Sequence, residues 1–370
     1  MKAFLACLAL ATLSACAGGA KNAANTLLQP GGPAASAAHT QGTSWPNLYV
    51  LDGTYRNVFH DKTDVSVYAP GSKHTLRRVT DGIGEPDAMT IDPSGNLFVG
   101  NCSFCDYGSI TEYAAGTTSL MRTITTGLDG PRALTTDASG NLYEGNAYYD
   151  AIRAYAPGST EPFESITEGV SRVVALAVDS SGNLYSANSG ADTVTVYAPN
   201  STSVLRTISQ RVHGVADMLL DGSNNVYVLN CWPNCNYKRQ GGRVTVYAAG
   251  TNKLVRTISK GIERPFAMTL DPSGNLYVLD CPTSCYTHGS TIVEYAAGTS
   301  TIVRHFRTHG RIGTSLAADA SGNLYVAEEL LTTKGGKDGG DVRVYPSGTV
   351  EKSLNIKAGV DAPVALLFGP

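Results

Sequence analysis

The feature that most constrains the fold of this chain is a tetrad, Asn-Leu-Tyr-Val or a close variant, that recurs seven times. The copies are 42 to 50 residues apart and begin at Asn47, Asn96, Asn141, Asn183, Asn225, Asn275 and Asn323. Self-similarity at that period is typical of repeat arrays and propellers, in which each unit buries its apolar faces against its neighbours. The region 45–370 is therefore predicted to be one repeat domain.

Each unit carries three further marks. An apolar-x-apolar-Tyr segment ends at Tyr68, Tyr113, Tyr155, Tyr197, Tyr247, Tyr295 and Tyr345. A segment such as Arg206-Thr207-Ile208 follows, and then a short apolar segment such as Ala267–Asp271 leads through Asp-x-Ser-Gly-Asn into the next tetrad. Pro and Gly in these joints preset a turn and supply positive φ. Each unit thus reads as four short strands, the pattern of an all-β propeller blade.

The order of the segments predicts how the ring closes. The first unit begins at Asn47 without an inner strand before it, and the chain ends in the inner-strand segment Ala362–Phe368. These halves complete one blade, which predicts a seven-bladed β-propeller closed by the C-terminal strand. Closure pairs a sheet edge of the first unit that would otherwise be exposed and invite aggregation. A six-bladed ring with one degenerate unit is the alternative.

Composition excludes several classes of protein. The chain has 28 Lys and Arg against 31 Asp and Glu, a net charge of −3, so it lacks the clustered basic charge that nucleic-acid binding requires. No apolar run reaches 18 residues, so a transmembrane helix is not expected. The 40 Gly and 19 Tyr suit a β protein punctuated by turns.

The N-terminus resembles the bacterial lipoprotein signal. Met1-Lys2 precedes the apolar stretch Ala3–Leu13, and Leu13-Ser14-Ala15-Cys16 follows. The resemblance implies a signal peptide over 1–15, cleavage before Cys16, and lipid on Cys16. Because Ala17 rather than Asp follows, a Gram-negative host would sort the protein to its outer membrane. The alternative is an ordinary secretory signal with a chance cysteine.

Residues 16–44 are predicted to form the lipidated tether. They consist mainly of Ala, Gly, Asn, Ser, Thr, Pro and Gln, which bury too little apolar surface to offset the entropy of ordering. Such a tether would hold the domain 45–370 a few nanometres from the membrane of a bacterial cell envelope, outside the cytoplasm.

The repeat itself resembles a known family. The pattern Pro-x-Ala-x-x-x-Asp-x-Ser-Gly-Asn-Leu-Tyr-Val-x-Asn, as in Pro86–Asn101, is similar to the NHL-type propeller repeat and its streptogramin-lyase and gluconolactonase-like relatives. The resemblance covers 45–370. It implies the propeller fold and leaves the activity open, because propellers include enzymes, binding modules and scaffolds.

Residues outside the repeat gather after the second strand of each unit. In a propeller this connection shares one face, here called the elaborated face, with the crossover from the outer strand to the next inner strand. The two hairpin turns of each blade form the opposite, regular face. The candidate ligand-binding residues of the elaborated face are Tyr55, Phe59, Phe104, Tyr107, Tyr148, Tyr149, Trp232, Tyr237, Tyr286 and His288. Aromatic residues on a rigid scaffold are typical of recognition sites, although long connections also need small cores of their own.

The six cysteines beyond Cys7 and Cys16 lie in the same connections. They form three close pairs, namely Cys102 with Cys105, Cys231 with Cys235, and Cys281 with Cys285. Fifteen pairings are possible, and the spacing in an exported protein favours three local disulfides. A zinc site shared by the last two pairs is the alternative. A c-type haem is excluded because Asp106, not His, follows Cys105.

A polar residue stands five positions after the start of each tetrad. The set is Asp52, Asn101, Asn146, Asn188, Asn230, Asp280 and Glu328. Its three carboxylates, Asp52, Asp280 and Glu328, occupy successive blades around the ring and could together bind Ca²⁺ or another divalent cation. In gluconolactonase-like propellers a central metal polarises a lactone carbonyl. The competing interpretation is that each side chain hydrogen-bonds the start of its own loop, with no cofactor.

The sequence lacks the short catalytic motifs. It has no Gly-x-Ser-x-Gly, no His-Glu-x-x-His and no phosphate-binding Gly loop followed by Lys. We therefore interpret the chain as a non-catalytic binding propeller whose partner is a protein or a small ligand. The first alternative is an enzyme. It would be a metal-dependent lactonase-like hydrolase, or a lyase that uses a histidine such as His213, His288 or His309. A structural component of the envelope is the second.

Overall fold

The prediction of a seven-bladed propeller is confirmed. A computed structural model describes residues 47–53, 63–101, 108–146, 150–231, 241–282, 288–308, 311–329 and 339–370. These residues form seven four-stranded antiparallel sheets. No helix in the described part of the chain is long and apolar enough to span a membrane.

The strands are numbered in chain order. They are β1 (Asn47–Asp52), β2 (Asp64–Tyr68), β3 (Thr75–Val79), β4 (Pro86–Ile91), β5 (Leu97–Asn101), β6 (Ser109–Tyr113), β7 (Leu120–Ile124), β8 (Pro131–Thr136), β9 (Leu142–Asn146), β10 (Ile152–Tyr155), β11 (Glu164–Ile166), β12 (Val173–Val178), β13 (Leu184–Asn188), β14 (Thr193–Tyr197), β15 (Val204–Ile208), β16 (Val215–Leu220), β17 (Val226–Asn230), β18 (Arg243–Tyr247), β19 (Leu254–Ile258), β20 (Pro265–Leu270), β21 (Leu276–Asp280), β22 (Thr291–Tyr295), β23 (Ile302–Arg307), β24 (Ile312–Ala318), β25 (Leu324–Glu329), β26 (Gly340–Tyr345), β27 (Leu354–Ile356) and β28 (Pro363–Gly369).

The chain closes its ring in blade 1. That blade has the order β28-β1-β2-β3 from the inner to the outer strand, and blades 2 to 7 each take four consecutive strands from β4 onward. The C-terminal strand pairs with β1, for example Tyr49 with Leu367, and the Tyr49 hydroxyl donates to the Pro370 carbonyl at 3.0 Å. Inner strands of neighbouring blades contact each other around the whole ring, including β28 with both β24 and β4.

The Asp-x-Ser-Gly-Asn turn explains why Asn and Tyr recur in the tetrad. In blade 4, Asp179 Oδ1 accepts from the Asn183 N–H at 2.9 Å, and Asp179 Oδ2 accepts from the Asn183 amide at 2.8 Å and from the Tyr185 hydroxyl at 3.1 Å. Gly182 takes φ 82°, which a side chain would oppose. The Asn and Tyr of the tetrad are therefore fixed by the turn before them.

The tyrosine that ends each third strand fixes the crossover at the other end of the blade. The Tyr155 hydroxyl donates to the Thr126 carbonyl at 2.9 Å, and Tyr295 donates to Lys260 at 2.7 Å. Tyr68, Tyr113, Tyr197 and Tyr247 make the same bond. Six crossovers are therefore each hydrogen-bonded to the blade that they lead into.

The hydrophobic core lies between blades. One cluster joins Ala175 and Val196 of blade 4 to Met218, Val226 and Tyr247 of blade 5, and all five side chains are buried. Comparable clusters join the other neighbours, including blades 1 and 2 across the closure. Each blade therefore depends on both neighbours, as expected for a closed repeat.

The two faces of the ring differ in regularity. On the regular face, the turn between inner and second strands has five residues in each of blades 2 to 7. On the elaborated face, the connection between second and third strands ranges from four residues in blade 4 to twelve in blade 5. The outer turns of the regular face vary only from six to eight residues, so most of the variation in chain length lies on the elaborated face.

Candidate functional site

Most of the predicted binding residues lie outside the described residues. This holds for Tyr55, Phe59, Phe104, Tyr107, Tyr148, Tyr149, Trp232, Tyr237 and Tyr286, and for Cys16, Cys102, Cys105, Cys235 and Cys285. His288 is described and exposed shortly before β22, while Cys231 and Cys281 directly follow β17 and β21. The ligand-binding set and the three local disulfides stay predictions.

The ring of polar residues after the tetrads supports the crossovers of the elaborated face. The side-chain oxygen of Asn230 accepts from the His213 N–H at 2.9 Å, and its amide donates to the Val228 carbonyl and to Thr245 Oγ1. Asn101 and Asn188 bond their crossovers in the same way. These side chains therefore fix the crossover before the inner strand rather than the loop that follows them.

Asp52 and Asp280 use a carboxylate for the same task. Asp52 Oδ1 accepts from the N–H groups of Asp361 and Ala362 at 3.0 and 3.1 Å. Asp280 Oδ1 accepts from the N–H groups of Glu263 and Arg264 at 3.0 and 2.6 Å. Burial raises the pKa of Asp280 to about 7 and that of Asp52 well above its ordinary value. One oxygen of each is thus committed to the backbone.

Glu328 of blade 7 departs from this pattern. Its Oε2 lies 3.1 Å from Arg343 Nε, and Arg343 Nε lies 3.8 Å from Asp341 Oδ2. Arg311 approaches the other oxygen of Asp341 at 3.6 Å. Burial raises the pKa of Glu328, and Arg343 opposes that shift. The result is an ionic cluster beneath the elaborated face, in which Glu328, Asp341 and Arg343 are buried and Arg311 is partly exposed.

The three candidate metal ligands are not brought together. Among the residues that the structure describes, no group of three or more His, Cys, Asp or Glu is placed to hold a metal ion. Asp52 and Asp280 bond separate crossovers, and Glu328 faces Arg343. The carboxylates of this ring therefore serve the scaffold in the described geometry.

Metal removal tests this assignment. We expect the melting temperature of the full chain to change by less than about 1 °C between excess Ca²⁺ and EDTA, because a cation at 100 times its Kd would instead add about 2.7 kcal/mol. Differential scanning calorimetry gives the measurement. A rise of several degrees with Ca²⁺ that disappears in Asp280→Asn would restore the metal site.

Replacing one of the crossover supports should loosen the elaborated face. Asn230→Ala removes one accepted and two donated hydrogen bonds from a buried position, and we expect a loss of about 2–3 kcal/mol in the free energy of unfolding. Urea denaturation measures it. The control is Asn252→Ala, an exposed residue with a single bond to the Thr207 carbonyl, for which about 0.5 kcal/mol is expected. Equal losses would contradict the assigned role.

Inner strands carry charged residues that the sequence analysis did not select. Asp87 and Arg132, on neighbouring inner strands, are 4.0 Å apart between Oδ2 and Nε. Burial raises the pKa of Asp87, and Arg132 lowers it. Their strands begin at the elaborated face, so this charge pair lies at that end of the ring.

Two polar side chains link one inner strand to the next. Asp217 is 1% exposed, and its oxygens accept from its neighbour Met218 N–H at 2.7 Å and from Met268 N–H of the following blade at 3.3 Å. Ser315 Oγ accepts from Leu366 N–H at 3.3 Å in the same position of blade 7. The other five blades have Ala there. An alignment of the inner strands would have found both residues as departures from Ala.

Neighbouring blades are also linked at the elaborated face itself. Asp192 Oδ1, before the third strand of blade 4, accepts from Gly214 N–H in the next crossover at 2.7 Å. Asp150 does the same for Arg172 at 2.9 Å. The ends of the variable connections are therefore anchored in a frame of backbone hydrogen bonds.

Comparison with known proteins identifies the fold. No protein-family model matches the chain, and no curated protein matches it. Among solved structures, hydrazine synthase from Kuenenia stuttgartiensis is similar, with a TM-score of 0.55 and 15% identity over 71% of this chain and 79% of that chain. At that identity the likeness shows a shared β-propeller fold, and the fold is consistent with binding a ligand or a protein.

Proposed function

We propose that this chain is a lipid-anchored propeller of the bacterial cell envelope that binds a protein partner or a small ligand through its elaborated face, without catalysis. The observation that carries the proposal is the contrast between the faces. Connections of four to twelve residues stand on one face, and five-residue turns repeat on the other. Variable connections on a rigid frame are the usual way that a scaffold presents a recognition surface.

The described residues support the rigid frame. The side chains of Asn101, Asn188 and Asn230 accept hydrogen bonds from the crossovers that lead into their own blades. Asp150 and Asp192 accept hydrogen bonds from the crossovers that lead into the next blade. A surface held in this way loses little conformational entropy on binding. Aromatic residues of the connections, such as Trp232 and the pair Tyr148-Tyr149, would supply the contact area.

The finer parts of the proposal come from the sequence. The Leu13–Cys16 signal supports the lipid anchor, the Pro86–Asn101 pattern supports a relation to NHL-type propellers, and the spacing of the cysteines supports local disulfides that shape the connections. Peptide mapping of the unreduced protein should find Cys231 linked to Cys235. A link from Cys231 to Cys281 would contradict the local pairing.

Photo-crosslinking tests the binding face. A photoreactive residue is placed at Trp232 or Tyr149 on the elaborated face, and at the exposed Thr117 on a regular-face turn as the control. We expect one molecular species to be captured repeatedly from the elaborated face in intact cells, and expect Trp232→Ala to weaken its capture from position 149. Equal capture of that species from position 117 would contradict the proposal.

A further inference from the structure

All large apolar side chains that are exposed in the described residues fall into one arrangement. They are Leu76, Met121, Phe163, Leu205, Val255, Val303 and Val350, one for each blade, and they are 47–56% exposed. Single exposed apolar residues scattered over a surface need no explanation. These seven are not scattered: five lie on outer strands, Phe163 lies immediately before β11, and Val350 lies in the outer hairpin turn that precedes β27.

A β-bulge sets the position of this apolar belt. In blade 4, Val196 pairs with Arg206 and Tyr197 with Val204, so Leu205 is the extra residue of the outer strand. Leu76, Met121, Val255 and Val303 are the extra residues at the same step of their blades. A bulge re-aims the extra side chain and bends the strand. Here it turns an apolar side chain outward next to the regular face.

The apolar belt lies on or beside strands whose exposed positions are usually polar. The outer strands are sheet edges, and natural proteins usually protect such edges with charged residues. The next exposed position on the same side of these strands is polar in several blades, as at Arg78, Thr123 and Thr207. The apolar side chains therefore occupy only the step nearest the regular face.

The chain enters the propeller at this face. β1 begins at Asn47, paired with Gly369, at the end of the sheet where the other blades carry their inner hairpin turns. The 30 residues between Cys16 and Asn47 span about 30 Å on average if they behave as a random coil. A lipid on Cys16 would thus hold the regular face, not the elaborated face, near the membrane.

The charge of the regular face suits a bilayer of zwitterionic lipids. Its outer hairpin turns carry only Lys73, Glu161, Lys253, Glu351 and Lys352 as charged residues. The Asp residues of its inner turns accept hydrogen bonds from the turns themselves, as Asp179 does. Contact with zwitterionic lipids would therefore depend on apolar side chains and would change little with salt.

We propose that the regular face docks on the lipid bilayer, with the apolar belt in contact with the lipids and the elaborated face directed away from the membrane. This orientation rests on the proposed lipid anchor. Each side chain needs to contribute little, because a tether of this length gives the face a high effective concentration at the surface.

Quenching by brominated lipids tests the orientation. The full chain, purified from membranes, is reconstituted in phosphatidylcholine vesicles as Leu205→Trp, and as Thr207→Trp for the control. Thr207 is exposed on the same side of β15, two residues farther from the regular face. After subtraction of the parent emission, we expect about twofold quenching at position 205 and little at 207, since an interfacial side chain reaches only about 5–10 Å into the bilayer.

The other outcomes are distinct. Vesicles that carry the protein without quenching at either position would overturn the orientation and leave the anchor intact. A blue shift at position 205 without quenching, together with a doubled mass, would assign the belt to a second copy of the chain. Protein that does not sediment with vesicles would contradict the anchor. In that case the Leu205→Trp chain is measured at high vesicle concentration: quenching would support contact between the belt and lipid, and its absence would contradict that contact.

Discussion

Ending the chain after Ala362 is expected to abolish folding of all seven blades. The lost strand β28 is the inner strand of blade 1, and its Val364, Ala365, Leu366 and Leu367 are buried. Burial of the Val and Leu side chains contributes about 1.5–3 kcal/mol each, so the loss approaches the whole stability of a typical domain, about 5–15 kcal/mol. Far-UV circular dichroism and size-exclusion chromatography of the truncated chain measure the result.

The matched control keeps the strand and changes its packing slightly. Leu367→Met conserves volume and should cost less than about 1.5 kcal/mol. A truncated chain that elutes as a monomer and melts cooperatively would show that six blades and a part of the seventh can close without β28. That result would contradict the role assigned to the closing strand.

Acidification from pH 8 to pH 5 is expected to stabilise the protein. Burial raises the pKa of both Asp217 and Glu144 to about 8, far above the ordinary value near 4. Between these values the folded state binds a proton that the unfolded state does not, so stability is fully present below about pH 4 and is lost as the pH rises to about 8. The slope approaches about 1.4 kcal/mol per pH unit for each group.

Amide variants separate the two groups. Asp217→Asn should lose about 1 kcal/mol at pH 5, because the amide keeps only one acceptor for the N–H groups of Met218 and Met268. Its stability should then fall less steeply toward pH 8. Glu144→Gln should reduce the slope independently, and exposed Glu351→Gln should leave it unchanged. Urea denaturation at pH 5, 6.5 and 8 gives the slopes, and equal slopes in all four proteins would refute the assignment.

The architecture was predictable from the repeat because several residues of each unit are hydrogen-bonded to one another in a single turn. The Asp, Gly, Asn and Tyr around Asp179 and Tyr185 are bonded to one another, so they recur together and mark each second strand. The unit that begins at Asn47 lacks an inner strand and the segment Ala362–Phe368 supplies one, which predicts the closure that the pairing of β1 with β28 confirms.

The role of the polar ring was less accessible from the sequence. A residue after each tetrad can bond either its own loop or a segment 17 residues before it, and only the folded blade shows that the earlier crossover is the partner. Blade 7 differs because Ser290 N–H donates to Thr308 Oγ1 at 2.7 Å, which holds that crossover by another route. Glu328 therefore faces Arg343 instead.

The apolar belt was also missed, although its residues repeat. Segments such as Leu205-Arg206-Thr207 have the pattern of ordinary alternating strands. The sequence does not mark Leu205 as the extra residue of a bulge, which only the strand pairing shows. By contrast, the candidate binding residues follow no repeat, so no neighbouring blade predicts their arrangement.

The position of β1 between two partners has a mechanical consequence for an anchored protein. A pull on the N-terminus would load β1 along its axis, where β28 and β2 hold it on both sides. Hydrogen bonds on both sides would then be sheared together, whereas an edge strand pulled across its axis would peel away one bond at a time. If a partner held the elaborated face while the lipid held the tether, blade 1 would carry the tension in its most resistant direction, and its rate of forced unfolding would set the lifetime of the attachment.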